Sequence, residues 1–360
     1  MKYRQAVLID GKATGDADLT DIFNLKGLGC ISELIIEVKG TNSTSTPTEH
    51  PAKLITKIQV VDGSEVIYDL DGKQAQALGY YHYHVPGVNG LNYIDNNNCW
   101  VTIRVPFGRW LWDPQLALDP NRFNNLQVIV TIDHDAGGGA PDACTYELVA
   151  NIFDGKKVNP VGYLRSREHY RYTVAASGVE TIDLPVDLPI KMLMFQGDYL
   201  ATALIQQINK IKLSEDQDAK IPLNNNTSDI LKMLAADLPP WIESLRGNAT
   251  TSQVNFFGTC FYEQRVVLVG IMSTINYGET TERDGGGFYV DMTTGAEFDG
   301  ILTGYAPHGC VGLEFGDPWD MEDWYDLAPN IKSLKAILTA GSSASASGTN
   351  KVITQQLKKY

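Results

Sequence analysis

Short runs of alternating apolar and polar residues, separated by turn residues, account for most of the chain. In residues 126–132 every second side chain is apolar, which is the period at which one face of a β-strand is buried. Residues 334–340 alternate in the same way with smaller side chains, and residues 55–70 form a predicted hairpin around Asp62-Gly63. The pattern therefore predicts many short strands.

Helical periodicity is confined to two short candidates, residues 73–78 and 228–234. Residues 1–30 show neither period and are predicted to be irregular. A parallel α/β fold would need several helices of ten or more residues. We therefore expect an all-β protein.

The strand pattern occurs twice along the chain. Leu126 comes eighteen residues after the glycine of Phe107-Gly108, and a second Leu comes at the same distance after Phe315-Gly316. This offset of 208 (315 − 107) continues through a loop of small residues to the final strand-like runs. Few positions are identical, but the shared spacing, pattern and loop position indicate a duplicated unit.

A smaller offset upstream predicts where the second copy is longer. Ile211 follows Ile58 by 153 residues, and Leu231 follows Leu78 by the same distance. About 55 additional residues (208 − 153) must therefore lie in the second unit, at about 235–314. A segment of this size with its own aromatic residues is expected to be an ordered insertion.

Two domains are expected, because 360 residues exceed the usual size of one hydrophobic core. We predict a first jelly roll at residues 1–153, a linker at 154–172 and a second jelly roll at 173–360. About eight short strands per unit, with at most one short helix, are typical of an antiparallel sandwich of the jelly-roll type. The predicted fold class is all-β, with two tandem eight-stranded antiparallel jelly rolls, short helices and a larger insertion in the second.

Composition and charge narrow the function classes. A net charge of −14 argues against nucleic-acid binding as the main function, because phosphate binding needs a basic face. The five cysteines are an odd number without close pairs, so they predict neither a disulfide framework nor a four-cysteine zinc site. We interpret them as buried small hydrophobes of a reducing cytoplasm. No apolar run approaches eighteen residues, so no membrane span is predicted.

Two histidine motifs are candidates for chemistry. His82 and His84 would share one face of a strand and could form a metal pair, but the other histidines show no paired spacing, so surface or packing histidines are the favoured interpretation. The motif Asp133-His134-Asp135 precedes a glycine run, but no Gly-x-Ser-x-Gly nucleophile motif accompanies it, so a turn is the favoured interpretation. We predict no catalytic and no cofactor-binding residue.

An oxygen-rich cluster is the candidate site for calcium, the one cofactor considered. Carboxylate oxygens are the ligands that Ca²⁺ prefers, although the spacing here does not match an EF-hand loop. The candidate ligands are Asp317, Asp320, Glu322 and Asp323.

Four tryptophans fall in equivalent stretches of the two units. Interfaces between subunits favour Trp, whereas core packing explains the positions equally well. The four are Trp110, Trp112, Trp319 and Trp324.

Together these stretches resemble the double jelly-roll major capsid proteins of tailless icosahedral viruses, most of all those of bacteriophages with an internal membrane. The resemblance covers most of the chain, but no single motif is diagnostic. It rests on the run from Ile55 to Gly63, the turn Leu70-Asp-Gly with its short helix, Ile103-Arg-Val-Pro-Phe-Gly, Phe123-Asn-Asn-Leu-Gln-Val, and the duplicate from Gly316 to Tyr360.

The resemblance implies a structural protein of the virion and no enzyme. Such proteins form homotrimers with six similar lobes, which tile an icosahedral shell beside neighbouring capsomers, penton proteins and minor capsid proteins. Insertions form towers on the outside, and both termini lie at the base, facing membrane or genome. We expect synthesis in the host cytoplasm and no sequence-specific nucleic-acid binding.

Basic residues at both termini are candidates for contact with the internal lipid membrane. Each could contribute about 1 kcal/mol near anionic headgroups, whereas the alternative is that they are simply solvated. The residues are Lys2, Arg4, Lys358 and Lys359.

Two other functions stay open at this point. One is a tandem jelly-roll enzyme that depends on a metal, or a carbohydrate-binding protein of the same fold. The other is a minor capsid or spike protein of the same type of virus.

Overall fold

The first half of the chain forms a sandwich of two antiparallel sheets. A computed structural model describes residues 2–14, 18–155, 157–199, 202–249, 254–270, 275–279, 287–292, 296–326 and 331–360. The elements of the first half are β1 (Tyr3–Ala13), β2 (Leu19–Asn24), β3 (Ile31–Asn42), β4 (Ile55–Asp62), β5 (Glu65–Leu70), α1 (Gly72–Tyr83), β6 (Asn89–Asn92), β7 (Asn98–Pro106), β8 (Leu126–Ile132) and β9 (Pro141–Phe153). Their strand orders, β1-β9-β3-β7 and β2-β8-β4-β5, are those of a jelly roll.

The second half repeats this arrangement around a longer excursion. Its elements are β10 (Gly162–Thr173), β11 (Val179–Leu184), β12 (Ile190–Asp198), α2 (Leu204–Gln207), β13 (Lys210–Glu215), β14 (Lys220–Asn226), α3 (Thr227–Asp237), β15 (Trp241–Ala249), β16 (Val254–Phe257), β17 (Cys260–Gly270), β18 (Ile275–Glu279), β19 (Gly287–Met292), β20 (Ala296–Pro307), β21 (Cys310–Glu314), β22 (Leu334–Thr339) and β23 (Thr349–Lys359). The jelly-roll orders are β10-β23-β12-β21 and β11-β22-β13-β14. Strands β15 to β20 form the insertion, so the predicted fold class is confirmed.

One large sheet continues from the first jelly roll into the second, and the other continues from the first jelly roll into the insertion of the second unit. Strand β5 pairs in parallel with β10 at Tyr68 and Ser166, and β6 pairs in parallel with β15 at Leu91 and Leu245. Because the units share their sheets, the division at residue 153 stays a prediction. The predicted linker at 154–172 needs correction, since β10 already begins at Gly162 and pairs along its whole length with β23.

The repeat is confirmed at its closing strands and corrected upstream. Strands β8 and β22 begin 208 residues apart (334 − 126), as do β9 and β23 (349 − 141). Helices α1 and α3 begin 155 apart (227 − 72), not 153, because the second hairpin turn adds two residues before the helix. The register agrees, since Val60 pairs with Tyr68 where Leu213 pairs with Leu223 (223 − 68 = 155). The insertion is therefore 53 residues (208 − 155).

Two predictions about local structure were wrong. Residues 1–30 are not irregular, because they contain β1 and β2. Both strands lie at sheet edges, where much of each strand faces solvent, so they lack the apolar alternation of a buried strand. His82-Tyr83-His84 ends a helix rather than lying on a strand. Helix α1 is buried on all sides and therefore shows no amphipathic period.

Both termini lie at one end of the sandwich, called here the basal end. The Asp154 N–H donates to the Lys2 carbonyl, and the Tyr360 N–H donates to the Val161 carbonyl. Tyr360 also reaches the loop after β7, where its hydroxyl donates to the Ala117 carbonyl at 2.8 Å. Because successive strands of a jelly roll alternate in direction, the insertion after β14 leaves from the opposite, distal end.

Candidate functional site

Helix α1 fills the joint between the two jelly rolls. Asp71 caps its first turn in a capping box with Gln74, and Gly72 is required because a Cβ there would lie 2.2 Å from the Ala52 carbonyl oxygen. The Tyr80 hydroxyl donates to the Pro239 carbonyl and the Tyr81 hydroxyl to the Cys310 carbonyl, both at 2.7 Å. The helix is thus part of the first unit in sequence, but its side chains contact both units.

Buried charges join the units at the distal end of α1. Lys73 Nζ lies 2.8 Å from Asp198 and 3.8 Å from Glu49, and Lys351 Nζ lies 3.0 Å from Asp71 and 3.3 Å from Asp198. Burial opposes the charge on Lys73, but Asp198 and Glu49 outweigh it and raise its pKa. Burial also opposes the charge on Asp198 and by itself would raise its pKa, yet the two lysines hold this pKa well below its usual value. The cluster is therefore charged at neutral pH.

A second polar contact joins the units where α1 ends. His84 Nε2 lies 2.7 Å from Glu314, which also accepts from the buried Lys191 at 2.8 Å. His82 is fully buried, and its Nδ1 lies 3.4 Å from Gln355 Oε1. Residues two apart on a helix point in nearly opposite directions. His82 and His84 therefore do not come together as a metal pair, the less favoured of the two interpretations.

A buried carboxylate organises the base of the insertion. Glu243 accepts the Thr259 N–H at 2.7 Å and the Thr259 hydroxyl at 2.8 Å. It also accepts the Trp241 indole N–H at 3.1 Å and the Asn89 amide at 3.2 Å. Burial raises the pKa of Glu243 while these donors oppose the shift. Because Asn89 belongs to the first jelly roll, this network ties the insertion to it.

Two buried imidazoles lie beside this network. His50 and His308 pack edge to face with ring centroids 4.7 Å apart. His50 Nε2 lies 3.0 Å from the Thr259 hydroxyl, and His308 Nε2 lies 2.8 Å from Gln76 Oε1. Burial lowers the pKa of His50 to about 3, with Lys73 adding to the shift, and lowers that of His308 well below its usual value. Both rings are therefore neutral in the folded protein at neutral pH.

We expect stability to fall as the pH is lowered from about 6.5 towards 3. In this window the unfolded chain binds protons at His50, His82 and His308 that the folded chain does not, because burial depresses all three pKa values. Each group can contribute a slope of up to about 1.4 kcal/mol per pH unit. The check is urea unfolding between pH 7.5 and 5, in which His50→Gln should show a shallower slope than the unaltered protein. Equal slopes for both proteins would contradict this assignment.

The Asp133-His134-Asp135 motif forms an exposed turn. The Asp135 N–H donates to Asp133 Oδ1 at 3.1 Å, and His134 Nδ1 lies 3.4 Å from Asp18. The described residues include one group of three potential metal ligands with ligand atoms within 4.8 Å of one another, namely Asp18, Asp133 and His134. The geometry is that of a capped turn next to an exposed carboxylate.

The calcium candidates cap turns after β21. The Asp317 N–H donates to Asp323 at 2.7 Å, and the Glu322 N–H donates to Asp320 at 3.0 Å. The four candidates do not form a close ligand group among the residues that the structure describes. Calcium binding by Asp317, Asp320, Glu322 and Asp323 stays an untested prediction.

The four tryptophans divide between core and surface. Trp324 is buried in a small core with Leu116, Leu164 and Leu357. Trp110 and Trp319 are exposed and lie 5.9 Å apart between ring centroids. They join the equivalent loops of the two units, since Arg109 packs on Trp110 and donates to the Trp319 carbonyl at 2.7 Å. Trp112 packs on Tyr3 beside the N-terminus.

The basic residues of both termini lie at the basal end. Arg4 forms an ion pair with Asp154 at 3.5 Å, and Lys358 forms one with Glu65 at 3.7 Å. Lys2 and Lys359 are exposed. The described helices include none that is both long and apolar enough to cross a membrane.

The buried polar joint was missed by the sequence analysis. Lys73 and Asp198 are 125 residues apart in sequence, and Glu243 is 154 residues from Asn89. None of them lies in a motif, and pairing over such distances leaves no local signal. The one available hint is a lysine within a helix candidate of mostly uncharged residues.

Comparison with proteins of known structure identifies the fold. No protein-family model and no curated protein sequence matches the chain. The MCP of STIV superposes with a TM-score of 0.58 at 11% identity, over 100% of this chain and 98% of that chain. The major capsid protein of bacteriophage PM2 gives 0.55 at 10% identity over 99% and 98%, and the PBCV-1 virus capsid gives 0.55 at 10% over 99% and 93%. These similarities confirm the double jelly-roll fold over the full chain.

Proposed function

We propose that this chain is the major capsid protein of a tailless icosahedral virus with an internal membrane. The observation that carries the proposal is the match of both jelly rolls and their connection, over 100% of this chain, to a capsid protein of nearly the same extent. In this role three copies form a capsomer with six similar lobes. The capsomers tile a shell together with penton and minor capsid proteins.

The architecture supports this role in two ways. Shared sheets and the buried joint at α1 hold two similar lobes as one unit, as a pseudo-hexagonal building block requires. The termini lie at the basal end and the insertion leaves from the distal end, so the subunit has distinct inner and outer faces. The outer tower would then be built from β15 to β20.

A catalytic role has less support. The histidine pair is split between a buried and a half-exposed position, and the Asp133-His134-Asp135 motif forms a turn. No observation favours a carbohydrate-binding or metal-dependent enzyme over a structural protein. A minor capsid or spike role is a variant of the same proposal, but the full-length matches are to major capsid proteins. Location in the virion and synthesis in the host cytoplasm follow from the proposal.

The oligomeric state of the purified chain tests the proposal. Light scattering after size exclusion should give three times 39.6 kDa across a wide range of loading concentrations. A stable monomer, with or without bound metal, would contradict it.

The membrane contact is a separate part of the proposal. Changing Lys2, Arg4, Lys358 and Lys359 together to Gln should weaken binding to vesicles that contain phosphatidylglycerol by at least about tenfold, since each basic residue contributes about 1 kcal/mol near such a surface. The control changes Lys39, near the distal end of β3, and Lys232 on α3, which are exposed and lie away from the basal end. Cosedimentation measures the binding, and equal loss in both variants would contradict a basal contact.

A further inference from the structure

Three side chains from two distant segments meet at the distal end of the first jelly roll. Asp18 immediately precedes β2, and Asp133 and His134 immediately follow β8. Because β2 and β8 pair antiparallel, with Leu19 opposite Ile132, the start of one strand lies beside the end of the other. Each of the three residues offers one ligand atom, and these atoms lie within 4.8 Å of one another. The fold therefore assembles donors from segments that are 115 residues apart in sequence (133 − 18).

Backbone hydrogen bonds hold the loop after β8 in place. The Asp133 N–H donates to the Leu54 carbonyl at 2.9 Å. The Gly138 N–H donates to the Glu49 carbonyl, also at 2.9 Å. Asp133 uses Oδ1 to accept the Asp135 N–H, which leaves the second oxygen of this carboxylate for a ligand. Donors on a fixed backbone need little reorganisation when an ion binds.

The group collects negative charge without a basic partner. Among the described ion pairs, no lysine or arginine side chain reaches Asp18 or Asp133. His134 lies between carboxylates, with Nδ1 3.4 Å from Asp18 and Nε2 3.9 Å from Asp135. Its side chain is only 16% exposed, although it lies on a loop. Carboxylates this close to one another repel, and a divalent cation would offset two of their charges.

The donor set and its spacing fit zinc better than calcium. Zn²⁺ takes imidazole nitrogen and carboxylate oxygen at about 2.0–2.2 Å, so two ligands of a tetrahedral ion lie about 3.4 Å apart. The distance between His134 Nδ1 and Asp18 Oδ1 is also 3.4 Å. Ca²⁺ takes about six to eight oxygen ligands, and an imidazole is not one of them. Three protein ligands would leave the fourth position of a zinc ion to water.

We propose that Asp18, Asp133 and His134 bind a divalent transition metal of the zinc type, and that the ion fastens β2 to the loop after β8. Strand β2 lies at a sheet edge and pairs only with β8 among the described residues. Its side chains alternate between exposed and half-buried, so little apolar packing holds it. A bridging ion would add a tie at its distal end. The proposal is independent of the capsid function and of the four calcium candidates.

Isothermal titration calorimetry of the full chain with zinc chloride tests the site. After removal of metals with a chelator and dialysis, the unaltered chain should bind one Zn²⁺ per copy near neutral pH. His134→Gln and Asp18→Asn should each weaken this binding by at least about tenfold, because each removes one of three ligands. Absence of zinc binding, or binding that both variants leave unchanged, would overturn the proposal. Calcium chloride should not displace the zinc, and displacement at an equal concentration would overturn the role of the imidazole.

Two control variants separate this site from a general attraction of cations to an acidic protein. Asp142→Asn removes an exposed carboxylate at the distal start of β9. His169→Gln removes an imidazole whose Nε2 lies 2.8 Å from the Asp183 carbonyl oxygen. Both controls should bind zinc like the unaltered chain, and an equal loss in controls and ligand variants would contradict the site. Thermal melting without zinc should show that all four variants fold.

Hydrogen exchange measures whether the ion fastens the strand. Saturating zinc should slow the exchange of the β2 amides several-fold in the unaltered chain, because an ion that binds the folded form suppresses local opening. The same amides should be unaffected in His134→Gln. Strand β11, the equivalent edge strand of the second jelly roll, is the internal control and should not change. Equal slowing in β2 and β11, or no slowing in β2, would contradict the bridging role.

Discussion

Replacing Lys73 with Met should lower the free energy of unfolding by about 3–5 kcal/mol, because it removes one partner of a buried ion cluster. Lys73 is almost fully buried, so Asp198 would lose the nearer of its two lysines and Glu49 would lose the lysine that it pairs with. Met nearly retains the volume of the aliphatic stem, so the loss reports the charge rather than a cavity. Lys351 would remain near Asp198 at 3.3 Å, which places the expected loss towards the lower end of the range.

Urea unfolding followed by circular dichroism measures this effect. The matched control is Lys232→Met, because Lys232 is exposed and its ion pair with the exposed Asp229 lies at the surface. A surface pair is worth about 1 kcal/mol or less. The double variant Lys73→Met with Asp198→Asn should lose less than the sum of the single variants, because neither charge is then left without its partner. A Lys73→Met loss no larger than that of the control would contradict a stabilising role for the buried ion cluster of Lys73, Lys351 and Asp198.

Replacing Trp241 with Ala should cost about 3–5 kcal/mol, the range for large-to-small changes at buried aromatic positions. Trp241 is fully buried where the insertion meets the first jelly roll, with its ring 5.7 Å from that of Tyr80. A Cβ on Gly87 would lie 2.9 Å from the indole, so the glycine leaves the space that the ring fills. The variant would lose both this packing and the indole N–H donated to Glu243.

A second variant separates packing from the hydrogen bond. Trp241→Phe keeps most of the ring but leaves Glu243 with one donor fewer, for which we expect a loss of about 1–3 kcal/mol. Trp319→Ala is the surface control, since Trp319 is 42% exposed. The measurement is again the free energy of unfolding in urea. If Trp241→Ala and Trp319→Ala cost the same, Trp241 is not an anchor of the insertion.

The duplicated fold could be predicted from sequence where strands are buried on one face. Residues 126–132 alternate because β8 packs against the core on one side only, and β22 repeats the pattern 208 residues later. The hairpin of β4 and β5 was also predictable, because the turn residues Asp62-Gly63 separate its two strands. These elements gave the sandwich class, which the structure confirms.

Other elements left no such pattern. Strand β1 was missed because its exposed edge lacks alternation, and the offset of the helix was wrong by two because the second hairpin turn holds two extra residues and moves α3 along the sequence. Helix α1 was predicted too short, since burial on every side removes the amphipathic period. Its buried partners could not be predicted, because Lys73 and Asp198 are brought together only by the packing of two jelly rolls.

For both the membrane and the calcium candidates, separation in sequence was a poor guide to position in the fold. Lys2 and Lys359 are 357 residues apart (359 − 2), yet both lie at the basal end, as the resemblance implied for the termini. Asp317 and Asp323 are close in sequence, yet the carboxylate of Asp323 accepts the backbone N–H of Asp317 in a turn. Proximity in sequence therefore did not by itself identify a site.

Electron microscopy of the purified oligomer tests the central claim most directly, namely that two similar jelly rolls per chain build a pseudo-hexagonal capsomer. The account predicts closed particles of three copies whose end-on class averages show six lobes, with the towers of the insertion on one face. Isolated two-lobed particles, open chains of subunits or a closed ring with another number of lobes would contradict it.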